Sequence, residues 1–236
     1  MSDASVTKYY DNYVERQRTT GVNLRHQFIL ELAVDEGLMG AQRVLEIGCG
    51  IGTVTGLLAR AAPNARILAS DLSPASIGTA RATYADLPNV EWKVINVVTD
   101  PIDGMFDMII LPDVLEHIPE EHHAALFVRL RSILAPNGRV VIHSPDPYYS
   151  DWLRVNRPEL LQVIDLALHL PDLFKRIHAA GLTLVRFKRY CIWSVAPDYM
   201  ALTLLHPPVS DDFRERDRPR PGLWRRLLAR MARRSR

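Results

Sequence analysis

The sequence predicts an α/β protein with a doubly wound, mostly parallel sheet. Apolar runs of strand length alternate with segments of helical period between residues 44 and 143, and a glycine-rich turn joins the first such run to a helix. Further along, two strand-like runs follow one another across a short loop.

Leu24, Phe28, Ile29, Leu32 and Ala33 recur at helical spacing, so a helix precedes the first strand and packs on the sheet, with Gly37 and Gly40 marking its end. After VLEI and the glycine turn come a helix over 53–62, a strand over 66–70, and a helix opened by Ser73 as N-cap with Pro74 at its first position. A strand over 91–95 follows. Residues 99–104 are too few for a crossover helix, so a turn leads into the strand over 106–111. Residues 120–134 read as helix, and Pro136-Asn137-Gly138 turns into a strand over 139–143. LTLVRFKRY (182–190) and YMALTLL (199–205) then make two strands around a loop holding Pro197. The segment 144–180 is an insertion. It and its surroundings carry Tyr148, Tyr149, Trp152, Trp193 and Tyr199, which either line an acceptor pocket at the carboxyl edge of the sheet or fill a small core beneath the insertion.

With 236 residues, 47% of them apolar, the chain is long enough for one well-buried core. Two cysteines, Cys49 and Cys191, make no disulfide framework and point to a reducing compartment. The polar start MSDASVTKYY is unlike a secretory signal, and no apolar run approaches the ~20 residues that cross a bilayer. The expected location is cytoplasmic. The net charge of +2 hides an asymmetry: residues 214–236 hold ten arginines against Glu215 and Asp217, a tail of +8, which leaves −6 on the first 213 residues. An acidic body is not a polyanion binder, so no nucleic acid is expected. In the tail, Leu223, Trp224, Leu227, Leu228 and Met231 share one helical face among arginines. Such a helix suits peripheral contact with an anionic membrane at its inner face; the plainer reading is a solvated or disordered terminus.

Function is concentrated in VLEIGCGIGTVTGLLA, residues 44–59. Glu46, Gly48, Gly50 and Gly52 give the spacing E-x-G-x-G-x-G, in which glycines supply a tight turn, a backbone that a ligand can approach, and close helix-to-sheet contact. The dinucleotide fingerprint G-x-G-x-x-G places its third glycine one residue later and needs no acid at the strand end. Glu46 there suits a cationic amino group. A second acid, Asp71, ends the next strand, where it can accept both hydroxyls of a ribose. Two acids at two strand ends fit a ligand that joins an amino acid to a nucleoside.

With these residues the chain resembles the class I S-adenosylmethionine-dependent methyltransferases, type 11 and 23-like, over about residues 43–143. The resemblance implies a Rossmann-like sheet of seven strands, mostly parallel with an antiparallel terminal hairpin, and a single methyltransferase domain over 1–213 with an N-terminal helical cap. S-adenosylmethionine is the implied cofactor. Its implied contacts are Glu46, Gly48, Gly50 and Gly52, Asp71 on the ribose with Leu72 beside the adenine, Asn96 and Val97 on the adenine, and Leu111 in FDMIILPDVLEHI, which supplies the fourth strand and the loop beneath the sulfonium.

Methyl transfer needs the acceptor in line and about 3 Å away, with water excluded. An oxygen or nitrogen acceptor also sheds a proton, and His117, in PDVLEHIPEEHH after the fourth strand, is the candidate recipient with Asp113 beside it. The other reading of His117 is a hydrogen bond to a loop that shapes the site. His122 and His123 are expected to be solvated on the next helix. Asp113, Glu116 and His117 also resemble the magnesium motif of small-RNA 2′-O-methyltransferases, with His143 or His169 as fourth ligand. An Asp stands where that motif has Glu, and the preferred reading has no metal. Acceptor contacts are expected from Tyr9, Tyr10, Arg25, Tyr148 and Trp152: Tyr9 and Tyr10 toward a sulfonium or closing the pocket, Arg25 toward a carboxylate or phosphate.

The expected activity is methyl transfer to an oxygen or nitrogen of a small-molecule, saccharide or lipid-linked biosynthetic intermediate. The alternatives are carbon methylation of a quinone-like ring, since LEHI is also similar to quinone-pathway methyltransferases, and a non-catalytic S-adenosylmethionine-binding protein docked through its basic tail.

Overall fold

Along Val44-Leu45-Glu46-Ile47 successive side chains face opposite sides of a sheet, and all four are buried. A strand buried on both faces belongs in the middle of a parallel sheet. A computed structural model describes residues 18–209. Within them lie the strands β1 (Arg43–Ile47), β2 (Arg66–Asp71), β3 (Val90–Val94), β4 (Phe106–Pro112), β5 (Leu134–Pro145), β6 (Thr183–Tyr190) and β7 (Tyr199–Leu205), in the sheet order β3-β2-β1-β4-β5-β7-β6. The first five are mutually parallel; β7 runs antiparallel to both β5 and β6.

The two faces carry separate cores. Leu45, Ile47, Ile109, Leu111, Val140 and Ile142 pack with Leu126, Phe127 and Leu130 of α4 (His123–Ile133) and with Leu173 and Ile177 of α6 (Leu170–Ala179). Val44, Ile67, Met108 and Ile110 pack with Ile29 and Ala33 of α1 (Leu24–Asp35) and with Val54 and Leu58 of α2 (Thr53–Ala61). Ile77 and Ala80 of α3 (Pro74–Thr83) cover Ala69 and Trp92 near the β3 edge. Each fully buried Leu or Ile contributes roughly 1.5–3 kcal/mol relative to exposure, so the period-two pattern of β1 and β4 fixes their register.

Caps follow the sequence. Asn23 Oδ1 accepts from the His26 amide while His26 Nδ1 accepts from the Asn23 amide, a reciprocal box at the start of α1. Ser73 caps α3 with Pro74 at its first position. The β3–β4 connection holds no helix, as its length dictates.

Three local readings are corrected. Pro136-Asn137-Gly138 does not precede the fifth strand but lies inside β5 as a bulge: Phe106 pairs with Leu134, and two residues on Met108 pairs with Arg139. The helix expected from residue 120 begins with a 3-10 turn, Glu120–His122, and α4 starts at His123. His123 is not solvated; it is fully buried with Nε2 bonded to the carbonyls of Leu115 and Ile118.

The insertion holds α5 (Pro147–Asn156), a 3-10 turn (Pro158–Leu160) and α6. The compact unit ends at His206. Tyr9, Tyr10 and the basic segment 214–236 lie outside the described residues. Among the described residues no helix is long and apolar enough to cross a membrane, and both cysteines are free thiols.

Candidate active site

Strand order reverses between β2-β1 and β4-β5, and the crevice beyond the carboxyl ends of β1 and β4 is where such sheets bind ligands. A cavity of about 980 Å³ opens there.

The turn after β1 is left-handed at all three glycines, with φ of 72° at Gly48, 54° at Gly50 and 85° at Gly52. A Cβ on Gly48 would stand 2.3 Å from Val114 Cγ2, and one on Gly52 would stand 2.7 Å from Trp92. Gly48 and Gly50 line the cavity. Gly52 does not; it lets α2 settle against Trp92 and Tyr84. Asp71 closes the turn: Oδ2 accepts from the Gly50 amide at 2.8 Å and Oδ1 from the Ser73 amide at 2.9 Å.

Glu46 is fully buried at the cavity wall, and among the described residues neither of its carboxylate oxygens has a hydrogen-bond partner. Burial, with Asp71 nearby adding to it, pushes its pKa up to about 7. A buried acid left unpaired at a ligand cavity fits a cationic ligand group. Leu72, Asn96 and Val97 line the same end, and Asn96 Oδ1 is held by the Val98 amide at 3.0 Å. Leu111 is fully buried in the core beside Ile109 and does not reach the cavity, because its position on β4 faces α4.

At the end of β4, Asp113 adopts φ 57°, a conformation that costs a non-glycine residue. Its amide donates to the His143 carbonyl. Its Oδ1 lies 2.5 Å from His143 Nδ1 and its Oδ2 lies 2.9 Å from Arg25 Nη1. Burial alone would raise the Asp113 pKa, but His143 and Arg25 outweigh it and hold the carboxyl below the usual range. Arg25 lines the cavity.

His117 also lines the cavity, and both of its ring nitrogens are engaged. Nδ1 lies 2.6 Å from the Ile164 carbonyl, so it carries the proton; Nε2 then accepts from Gln162 Nε2 at 3.1 Å. Burial lowers its pKa and keeps the ring neutral. The Leu166 amide donates to the Glu116 carbonyl at 2.9 Å, so the LEH segment fastens the stretch 162–166 of the insertion to the site.

The proposed metal set does not converge. Asp113 is bound to Arg25 and His143, Glu116 accepts from Ser144 Oγ, and His169 pairs with Asp151. Among the described residues no group of three His, Cys, Asp or Glu side chains is arranged to hold a metal.

Tyr148 and Trp152, expected at the acceptor, do neither of the two things foreseen for them. They stand 66% and 51% exposed on α5, away from the cavity, with Arg189 over the Tyr148 ring and Tyr149 stacked on Trp152. Trp193 and Tyr199 do line the cavity. Asp198, fully buried, accepts the amides of Ile192, Trp193 and Ser194 and so shapes the loop that carries the Trp193 ring. His26 and Gln162 were missed as wall residues. His26 had a legible signal, since Asn23-x-x-His26 is a capping pair; Gln162 had none.

The sheet order, the glycine turn and the acids ending β1 and β2 are those that the resemblance to class I S-adenosylmethionine-dependent methyltransferases led one to expect. A family model described as a methyltransferase domain matches residues 44–138. Trans-aconitate 2-methyltransferase from Escherichia coli is 33% identical over 153 residues, covering 65% of this chain and 54% of the relative. A 37.1 kDa protein in transposon TN4556 of Streptomyces fradiae is 29% identical over 177 residues, 74% of this chain and 49% of the relative. The chain thus spans about half the length of these curated relatives. Magnesium protoporphyrin IX methyltransferase from Synechocystis superposes with a TM-score of 0.70 at 20% identity, covering 87% of this chain and 100% of that one. N-methyltransferase NodS from Bradyrhizobium japonicum gives 0.63 at 21% identity, with 78% and 86% covered; its structure holds S-adenosylhomocysteine. Both share the fold.

Proposed function

We propose that this protein transfers a methyl group from S-adenosylmethionine to an oxygen or nitrogen atom of a small-molecule, saccharide or lipid-linked acceptor. The observation that carries the reading is Glu46, a buried carboxylate without a hydrogen-bond partner among the described residues, which shares one cavity with Asp71, Asp113 and His117. When bound, the cofactor supplies a methyl group already activated on a sulfonium, so the protein has mainly to position and to exclude water.

The chain's residues divide that work. Glu46 receives the amino group of the cofactor, Asp71 its ribose hydroxyls, and Leu72, Asn96 and Val97 its base. Val114, pressed against Gly48, forms the floor between cofactor and acceptor. His117, engaged at both nitrogens, holds the stretch 162–166 over the cavity; we assign it this shaping role ahead of proton transfer. Named relatives that methylate trans-aconitate, and an N-methyltransferase among the structural neighbours, are in keeping with oxygen or nitrogen as the receiving atom.

The test is incubation of the full chain with labelled methyl donor and a fractionated small-molecule extract, followed by identification of the product. A labelled O- or N-methyl product supports the reading. A C-methyl product, or none alongside intact cofactor binding, counts against it.

A further inference from the structure

The cavity has a second half. Glu46, Asp71 and Asn96 belong to the β3-β2-β1 side of the sheet, whereas Asp113, Trp193 and Tyr199 gather over the β4-β5-β7 side. We propose that Trp193 is the stacking platform of this second half, and that the acceptor is a neutral molecule whose aromatic ring lies on it. The proposal rests on the methyl-transfer reading above and names the acceptor class.

Charge on this side is spent within the protein. Asp113 takes Arg25 Nη1 on one oxygen and His143 Nδ1 on the other, and Arg25 Nη2 lies 3.4 Å from His26 Nε2. The Tyr199 hydroxyl also meets the Arg25 guanidinium, and the Tyr199 ring is stacked on His143 at 4.9 Å. His117 is engaged at both ring nitrogens. In the turn at the rim, Glu120 is bound to Arg176, Glu121 stands in solvent and His122 is half-buried. A solvated charge contributes little to holding a ligand. A charged acceptor would have to compete for Arg25 or Asp113 and leave the other without its mate, which is costly for a buried group. A neutral acceptor leaves the network intact.

Trp193 is the opposite case. It lines the cavity yet is 55% exposed. Its loop is held by Asp198, whose carboxylate accepts the amides of Ile192, Trp193 and Ser194, whose own amide donates to the Tyr190 carbonyl, and whose carbonyl accepts the Asp146 amide. The indole N–H faces the Tyr199 hydroxyl, which fixes the ring by one edge. Other surface rings have partners, with Arg189 over Tyr148 and with Tyr149 and Trp152 stacked on each other; no ring of the described residues stacks on Trp193. A large aromatic face held at the mouth of a cavity gains from stacking and has little freedom to lose. Val114, Ile118, Ile164 and Leu166 add apolar wall.

An aromatic ring fits this wall better than a sugar. Each buried sugar hydroxyl needs a hydrogen-bond partner. Among the described residues, the buried side-chain acceptor that the cavity wall leaves without a partner, apart from Glu46, is Gln162 Oε1. One acceptor matches the single hydroxyl or N–H of a phenol-like or indole-like ring.

The test is calorimetry on the full chain saturated with S-adenosylhomocysteine, titrated with para-cresol and naphthol, each against its saturated ring counterpart, and with benzoate and methyl glucoside. We expect at least one neutral aromatic probe to bind about fivefold or more tightly than its saturated counterpart, the scale of an aromatic pair. Trp193→Ala should abolish that preference and Trp193→Phe should restore part of it; both should leave S-adenosylhomocysteine affinity within about threefold. Trp152→Ala, which removes a ring outside the cavity, should leave the preference unchanged. Aromatic and saturated probes that bind alike or not at all, a preference that survives Trp193→Ala, or tighter binding of benzoate or methyl glucoside would overturn the proposal while leaving methyl transfer standing. Failure of S-adenosylhomocysteine to bind the unaltered chain would instead remove the methyl-transfer reading, and this inference with it.

Discussion

The amide of Gly50 donates to Asp71 Oδ2 at 2.8 Å, so the acid that ends β2 also fastens the turn that follows β1. Its other oxygen takes the Ser73 amide, at the cap of the next helix. A carboxylate has about four lone-pair sites, so an oxygen that holds a backbone amide can also accept a ribose hydroxyl. One residue therefore shapes the binding turn and contributes to the binding.

Asp71→Ala should then cost more than the loss of a contact. Charge-assisted hydrogen bonds contribute about 1.5–3 kcal/mol each, so S-adenosylhomocysteine affinity is expected to fall about 100-fold or more by calorimetry. Asp71→Asn, which keeps the shape and loses the charge, should fall between. Affinity within threefold of the unaltered protein would separate Asp71 from the cofactor.

Gly48→Ala tests the close approach to Val114. A left-handed backbone costs a non-glycine residue about 1–2 kcal/mol, and the Cβ would lie 2.3 Å from Val114 Cγ2. A total loss of about 2–4 kcal/mol is expected in urea unfolding. Adding Val114→Ala should return the steric part only. Full recovery in the double variant would mean that the backbone carries no strain.

Glu46 makes stability and binding depend on pH in opposite directions. Burial raises its pKa from 4.5 to about 7. Below about pH 4.5 folded and unfolded chains both hold the proton and no penalty arises. Between there and about pH 7 the unfolded chain ionises first, so ligand-free stability should decline by on the order of 3 kcal/mol. A cofactor ammonium favours the ionised form, so binding should release a proton and tighten as pH rises from 5 to 7. Calorimetry in buffers of different ionisation enthalpy reads that proton directly. Glu46→Gln should flatten both profiles; an unchanged profile would release Glu46 from its role.

His117→Ala should leave S-adenosylhomocysteine affinity within about threefold yet slow transfer at least tenfold, because the Ile164 and Gln162 bonds are lost. Hydrogen exchange at the Leu166 amide, bonded to the Glu116 carbonyl, should speed up in the same variant. Slowed transfer with unchanged exchange at Leu166 would point back to proton transfer by His117.

Much of this was legible because parallel strands advertise themselves. β1 and β4 are dry on both faces, so their apolar runs stand out, and Glu46 stands out within one of them as an acid where none is tolerated without a purpose. Ser73 and Pro74 marked a helix start through local chemistry alone. The residues misread depend on partners remote in the chain. Pro136-Asn137-Gly138 looks like a turn, but pairing with β4 absorbs it into β5 as a bulge. Leu111 and the cavity residues share one strand, and only the placement of α4 decides which side Leu111 faces. Tyr148 and Trp152 have the composition of a pocket and the position of a surface. Arg25 and Asp113 are 88 positions apart, and nothing local to either announces their ion pair. His123 resembles its half-buried neighbour His122 until two carbonyls are seen around its ring.

The most direct test of the account is a calorimetric titration of the full chain with S-adenosylhomocysteine and, in parallel, with NAD. The account predicts saturable one-to-one binding of the first, lost on Asp71→Ala, and no heat from the second. Saturation by NAD with no response to S-adenosylhomocysteine would contradict it.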